Sequence, residues 1–273
     1  MGARDPHRFV NELEDVMIER LIARLESRAK DVVFTRLFDK YVARLGLPAS
    51  ARVLEVGCGT GAMLRALARR PGFVGTAVGV DHSPAFIDAA RRFAHEQHLG
   101  DRLEFQVGDA HQLHLDDGSF DAAIAHTLVS HVTEPVTVLK EAGRVVRRGG
   151  SVVIFDGDYA SLTYAYPDYE FGRTMDRALA TATFNNPYVL RDLPRLLPQI
   201  GLLLTEALPD VVAEIGRGSY FKSFAETYAP MVISAGLLGP AEVESWLAAQ
   251  LRAMQDGTFF ASCNYYAFLA TRG

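Results

Sequence analysis

The chain has 273 residues, 49% hydrophobic and 22% charged, with a net charge of −5 at pH 7. That is the composition of a globular protein able to bury a sizeable core, and the acidic balance argues against a nucleic-acid partner. Cys58 and Cys263, 205 positions apart, support neither a disulfide framework nor a zinc spacing; no apolar run reaches transmembrane length and the start "MGARDPHRFV" lacks a signal core, so a cytoplasmic protein without membrane association is expected.

Residues 8–26 place Phe9, Leu13, Val16, Met17, Leu21 and Leu25 at helical spacing, and residues 30–45 do so with Val33, Leu37, Phe38, Tyr41 and Leu45. Two amphipathic helices follow from this, forming an N-terminal cap over 1–48. Their apolar stripes must be buried, either over a site on this chain or against a second copy in a homo-oligomer.

From residue 49 the rhythm changes. "RVLEV" reads as a strand, "TGAMLRALARR" as a helix stopped by Pro71-Gly72, and "TAVGVD" as a second strand. Ser83-Pro84 supplies an N-cap and a proline at the first position of a helix reaching about Leu99. "RLEFQVGD" and "FDAAIAH" are the third and fourth strands, a helix begins near Thr133 and Pro135, and "SVVIFD" is the fifth strand. Strands apolar on both faces, alternating with helices, indicate a parallel sheet covered on both sides, with 49–156 as its core.

Residues 157–188 hold seven aromatics in 32 positions, above the chain's 10%. A helix over 189–199 should be interrupted at Pro194 and Pro198. "LLLTEALPDVV" is a sixth strand with Pro209 near its end, and 219–256 is helical. The segment 157–257 thus combines remaining core elements with cap insertions, and 258–273 is a final strand.

The stretch "VLEVGCGTG" sets Gly57, Gly59 and Gly61 between a strand and a helix, where a ligand can approach the backbone. Asp81, at the end of the second strand, can accept both hydroxyls of a ribose. Those two features suit a dinucleotide equally well. Glu55 is out of place beside a pyrophosphate but suits an ammonium group, and Asp109 after the third strand can accept an adenine amino group.

In this order, "VLEVGCGTG", "VGVDHS", "VGDAHQL" and "LKEAGRVVRRGG" resemble the class I S-adenosylmethionine-dependent methyltransferases over about residues 51–156. The resemblance implies an α/β, Rossmann-like seven-stranded sheet, mostly parallel with an antiparallel last strand, helices on both faces and a helical cap. It implies S-adenosylmethionine as cofactor and methyl transfer to a small molecule. Gly57, Cys58, Gly59 and Gly61 would border the methionine part, with the Cys58 thiol a packing group. Glu55 would hold the amino group and Asp81 the ribose; His82, Asp109 and Ala110 would frame the adenine.

His126 and His131, in "HTLVSHV" after the fourth strand, are the candidates for removing a substrate proton, and His126 also borders the cofactor. Tyr159, Tyr164 and Tyr166 are candidates for an apolar or aromatic acceptor wall, with plain core packing as the competing reading. "HEQH" and "HQLH" do not match a zinc helix pattern, so no metal is expected. Two rival functions stand beside methyl transfer: an NAD(P)-dependent oxidoreductase, and a non-catalytic cofactor-binding protein with the methyltransferase fold.

Overall fold

The computed structural model describes residues 5–7 and 9–273. One sheet runs β3-β2-β1-β4-β5-β7-β6. Its strands are β1 (Arg52–Val56), β2 (Thr76–Asp81), β3 (Leu103–Val107), β4 (Phe120–His126), β5 (Val146–Tyr164), β6 (Leu202–Gly216) and β7 (Phe259–Arg272). The first five are parallel to one another, and β7 is antiparallel to both β5 and β6. The chain order reverses between β1 and β4. A crevice for ligands opens there, beyond the carboxyl ends of the strands.

Side chains alternate across each strand, so Val53 and Leu54 enter different cores. Val53, Ile124 and Val153 pack with α3 (Ala62–Ala68), α4 (Pro84–Glu96) and Phe34, Leu37 and Tyr41 of α2 (Val32–Arg44). Leu54, Val78 and Val152 pack on the other face with Val138 and Leu139 of α5 (Pro135–Val145) and Leu193 and Leu197 of α7 (Val189–Gln199). Ser83 caps α4, its hydroxyl accepting from the Phe86 amide at 3.3 Å.

The cap begins with α1 (Asp15–Lys30). Asp31 ends it and starts α2, its side chain accepting from the Val33 amide at 2.8 Å. Leu21 of α1 is buried with Val10 and Phe86. Glu26 accepts from Thr60 Oγ1 at 2.6 Å and Arg65 at 2.5 Å, tying α1 to the start of α3. On the other side α6 (Tyr169–Thr183), α8 (Tyr220–Ser234) and α9 (Pro240–Asp256) pack together behind the end of β5.

Three elements differ from the sequence reading. The fifth strand continues through the aromatic segment to Tyr164, paired with β7 across a register shift between Asp158 and Thr163. Pro209 lies inside β6, not near its end, and is tolerated because β6 is an edge strand. The α7 helix runs unbroken through Pro194 and Pro198; its buried Leu190, Leu193 and Leu197 anchor it despite the lost amide donors. Among the described residues no helix is long and apolar enough to cross a membrane.

Candidate active site

A cavity of about 620 Å³ lies beyond the ends of β1, β2 and β4 and is roofed by Leu25, Arg28 and Ala29 of α1. Its floor is the glycine loop. Gly57, Gly59 and Gly61 have φ of 71°, 52° and 71°, backbone geometry that side chains disfavour. The Gly57 and Cys58 amides donate to Val80 O, and the Gly59 amide donates to Asp81 Oδ2 at 2.8 Å. Gly57, Cys58 and Gly59 face the cavity. Gly61 does not: it caps α3, and a Cβ there would stand 2.5 Å from the Phe105 ring. Burial pushes the Cys58 thiol well up, aided by the charges of Asp81 and Glu55. That thiol packs under Gly79.

Two carboxylates line the inner wall. Glu55 is 2% exposed, and its Oε2 has no hydrogen-bond partner. Burial, and then the nearby Asp81, raise its pKa well above the usual range. Such an orphan acceptor in a cavity wall fits a bound cation. Asp81 is also buried, its Oδ1 accepting from the Ser83 amide at 3.0 Å. A carboxylate has about four acceptor positions, so after two backbone bonds Asp81 retains capacity for a diol. His82, Asp109 and Ala110 line the outer part. Asp109 is exposed and accepts from the His111 amide and ring at 2.8 and 2.7 Å. Partial burial works against it, but these bonds hold its carboxyl below the usual range.

The two histidines differ. His126 ends β4 with its Nδ1 2.9 Å from the Tyr41 hydroxyl. Burial, and then Arg28, lower its pKa well below the usual value, which favours the neutral imidazole. His131 lies in the loop after β4, its Nδ1 2.6 Å from Asp5 Oδ2. Burial opposes its charge, but the Asp5 charge and hydrogen bond, with Asp156 behind, raise its pKa. Asp5 comes from the cap, 126 residues away in sequence.

A second, smaller cavity of about 20 Å³ adjoins the first and shares His7, Leu25, Arg28 and His131 with it. Tyr159, Phe184, Tyr220, Phe224 and Tyr228 complete it with Arg24. Of the three tyrosine candidates Tyr159 lines this cavity, stacked on Phe184, and Tyr164 and Tyr166 line neither of the two. Tyr164 packs edge-on against Trp246, Phe221 and Phe259, and its hydroxyl donates to Phe221 O at 2.9 Å. Tyr166 packs on Phe171. Tyr164→Phe should therefore cost about 0.5–1.5 kcal/mol by removing this buried hydrogen bond, with ligand binding intact. Unchanged melting together with lost turnover would contradict that packing role.

Sequence reasoning missed Arg28. Its guanidinium donates to Thr127 Oγ1 at 2.8 Å and lines both cavities. Nothing in its local sequence separates it from Arg20 and Arg24, two turns and one turn earlier on the same helix face. Only the folding of α1 across the sheet brings it to the site.

Residues 54–154 match the family described as "Methyltransferase domain". The chain is 31% identical over 220 residues to an uncharacterized 37.1 kDa protein in transposon TN4556 of Streptomyces fradiae, covering 80% of this chain and 61% of that protein. It is 29% identical over 183 residues to the ubiquinone/menaquinone biosynthesis C-methyltransferase UbiE of Citrifermentans bemidjiense, covering 66% of this chain and 71% of that one. Its fold matches the crystal structure of the [4+2]-cyclase SpnF with a TM-score of 0.63 at 19% identity, over 100% of this chain and 99% of that one. The sheet order, the glycine loop and the domain match define a Rossmann-like methyltransferase fold. Over residues 54–154 the chain is similar to the class I S-adenosylmethionine-dependent methyltransferases.

Proposed function

We propose that the protein transfers a methyl group from S-adenosylmethionine to a small, largely apolar or aromatic molecule. The observation that carries this reading is the unpartnered Oε2 of Glu55 in the same cavity wall as Asp81 and the open glycine loop. Glu55 would accept from an ammonium group, and the pairing would return its raised pKa toward normal. Arg28 would face an α-carboxylate, Asp81 a ribose, and His82, Asp109 and Ala110 an adenine. The cofactor, when bound, supplies an electrophilic methyl on a sulfonium. The chain then has to align the acceptor and exclude water. Leu25 and Ala29 of α1 close the cavity above the loop.

His131 is the better candidate for taking the acceptor's proton. It lines both cavities, and Asp5 orients its Nδ1. His126 has its Nδ1 engaged by Tyr41 and serves as a neutral wall of the cofactor site. Tyr159 provides the acceptor's aromatic wall. An oxidoreductase reading is disfavoured because a pyrophosphate beside buried Glu55 and Asp81 would meet two carboxylates.

We assign the protein to the cytoplasm. Leu21 and Leu25 of α1 are used on this chain's own Phe86 cluster, which favours closure of the site over pairing with a second copy. Deleting residues 1–28 removes Arg28 and should weaken S-adenosylhomocysteine binding roughly tenfold or more, as loss of a charged hydrogen bond does, while circular dichroism still reports the sheet. Normal affinity and an unchanged oligomeric state would make the cap dispensable.

The competing reading is a cofactor-binding protein of the same fold that transfers no methyl group. The experiment is incubation with methyl-labelled S-adenosylmethionine and a small-molecule extract. Label in an organic product supports the first reading. Tight S-adenosylhomocysteine binding with no labelled product from any extract supports the second.

A further inference from the structure

Arg24 lies one helical turn before Arg28 on α1 and forms a wall of the smaller cavity. Its guanidinium donates to Ser223 Oγ at 2.6 Å. Its Cζ stands 5.0 Å from the Tyr228 ring, 5.6 Å from Tyr220 and 5.7 Å from Phe224. These rings sit at intervals of four residues on one face of α8. Among the described residues no carboxylate stands within ion-pair distance of this guanidinium. Elsewhere the chain pairs such groups with acids: Arg65 with Glu26, Arg144 with Glu141 and Asp117, Arg191 with Asp158.

Ring faces attract the cation's charge but do not accept bonds from its in-plane donors. A guanidinium carries five donors in a planar fork; Ser223 engages one and the Tyr228 hydroxyl another. A planar or tetrahedral oxyanion matches the rest. The smaller cavity measures about 20 Å³, and one water requires ~10–15 Å³, so it admits one or two oxygen atoms of a head group at the guanidinium and not a ligand's body. The body would extend into the larger cavity past His131, which borders both.

We propose that Arg24, framed by Tyr220, Phe224 and Tyr228, receives an oxyanion of the acceptor, a carboxylate or a phosphate ester, and so fixes which acceptors are methylated. This rests on the methyltransferase reading. It makes the acceptor an amphiphile, with an apolar or aromatic body and one acidic end. The anchored acid sets the body's position relative to His131. The competing role for Arg24 is a purely structural pin between α1 and α8, which would need no anion.

The test is titration calorimetry with benzoate, phenyl phosphate and the neutral analogue benzamide, on protein with and without S-adenosylhomocysteine. At least one anionic probe should bind about tenfold or more tighter than benzamide, and benzoate against phenyl phosphate identifies the oxyanion. Arg24→Met should abolish the preference while S-adenosylhomocysteine affinity stays within about twofold. Arg24→Lys, which keeps the charge without the planar fork, should retain only part of it and serves if the methionine variant does not fold. Equal binding of all three probes to the native protein, or a preference surviving in either variant at full strength, overturns the inference. An anion preference without any S-adenosylhomocysteine binding would instead overturn the methyltransferase reading and leave the oxyanion site standing.

Discussion

Replacing Asp81 with alanine is expected to weaken S-adenosylhomocysteine binding by roughly 10- to 150-fold for each charged hydrogen bond lost, since each contributes ~1.5–3 kcal/mol. The carboxylate has two tasks. It is assigned to the ribose, and it accepts from the Gly59 amide at 2.8 Å and the Ser83 amide at 3.0 Å. Alanine therefore removes a ligand contact and releases the loop that shapes the cavity floor. Asp81→Asn separates the tasks: one amide oxygen can still accept from Gly59, so the loop keeps its anchor while the charge on the ribose side is lost. The asparagine variant should melt closer to the native protein than the alanine variant and still bind weakly. Calorimetry showing native affinity in a folded Asp81→Ala protein would refute the assignment.

His131→Gln should lower turnover by ~10²–10⁴-fold, the usual contribution of a positioned proton acceptor, with S-adenosylhomocysteine affinity little changed. Asp5→Asn should reproduce part of the loss, because it removes the group that orients Nδ1 and raises the histidine's pKa. Only the neutral imidazole accepts a proton, so kcat/KM should rise with pH through a value above the ordinary ~6.5 of histidine, and Asp5→Asn should move that limb to lower pH. Stability runs the other way. A histidine whose pKa is raised on folding contributes stability that is fully present below its unfolded value and is lost as pH rises through the folded one. The native protein's advantage in melting temperature over His131→Gln should therefore be largest in mild acid and shrink toward alkaline pH. A pH-independent difference, or full turnover in the glutamine variant, would remove His131 from the chemistry.

The sheet was legible because its signals are local. Each strand is a short apolar run, each helix start carries a cap or proline, and the glycine loop joins two elements directly. Asp81 and Asp109 could be placed because both follow strands whose carboxyl ends border the crevice. The cap was legible only as helices. Which side chains it delivers depends on contacts far apart in sequence, such as Asp5 on His131, Arg28 on Thr127 and Arg24 on Ser223. Tyr164 and Tyr166 could be read as substrate wall or as core, because aromatic density is the same whether rings face a ligand or one another. The partners they pack on, Trp246 and Phe171, carry no sequence mark. Gly61 looked equivalent to Gly57, yet its missing side chain makes room for Phe105 instead of a ligand.

The central claim is that this cavity holds an adenosyl amino acid and not a dinucleotide. Titration of the full-length protein with S-adenosylhomocysteine, repeated in the presence of excess NADH, tests it most directly. Saturable one-to-one binding that NADH does not displace, and that Glu55→Ala weakens, is the expected result. Displacement by NADH, or no binding of S-adenosylhomocysteine to folded protein, would contradict it.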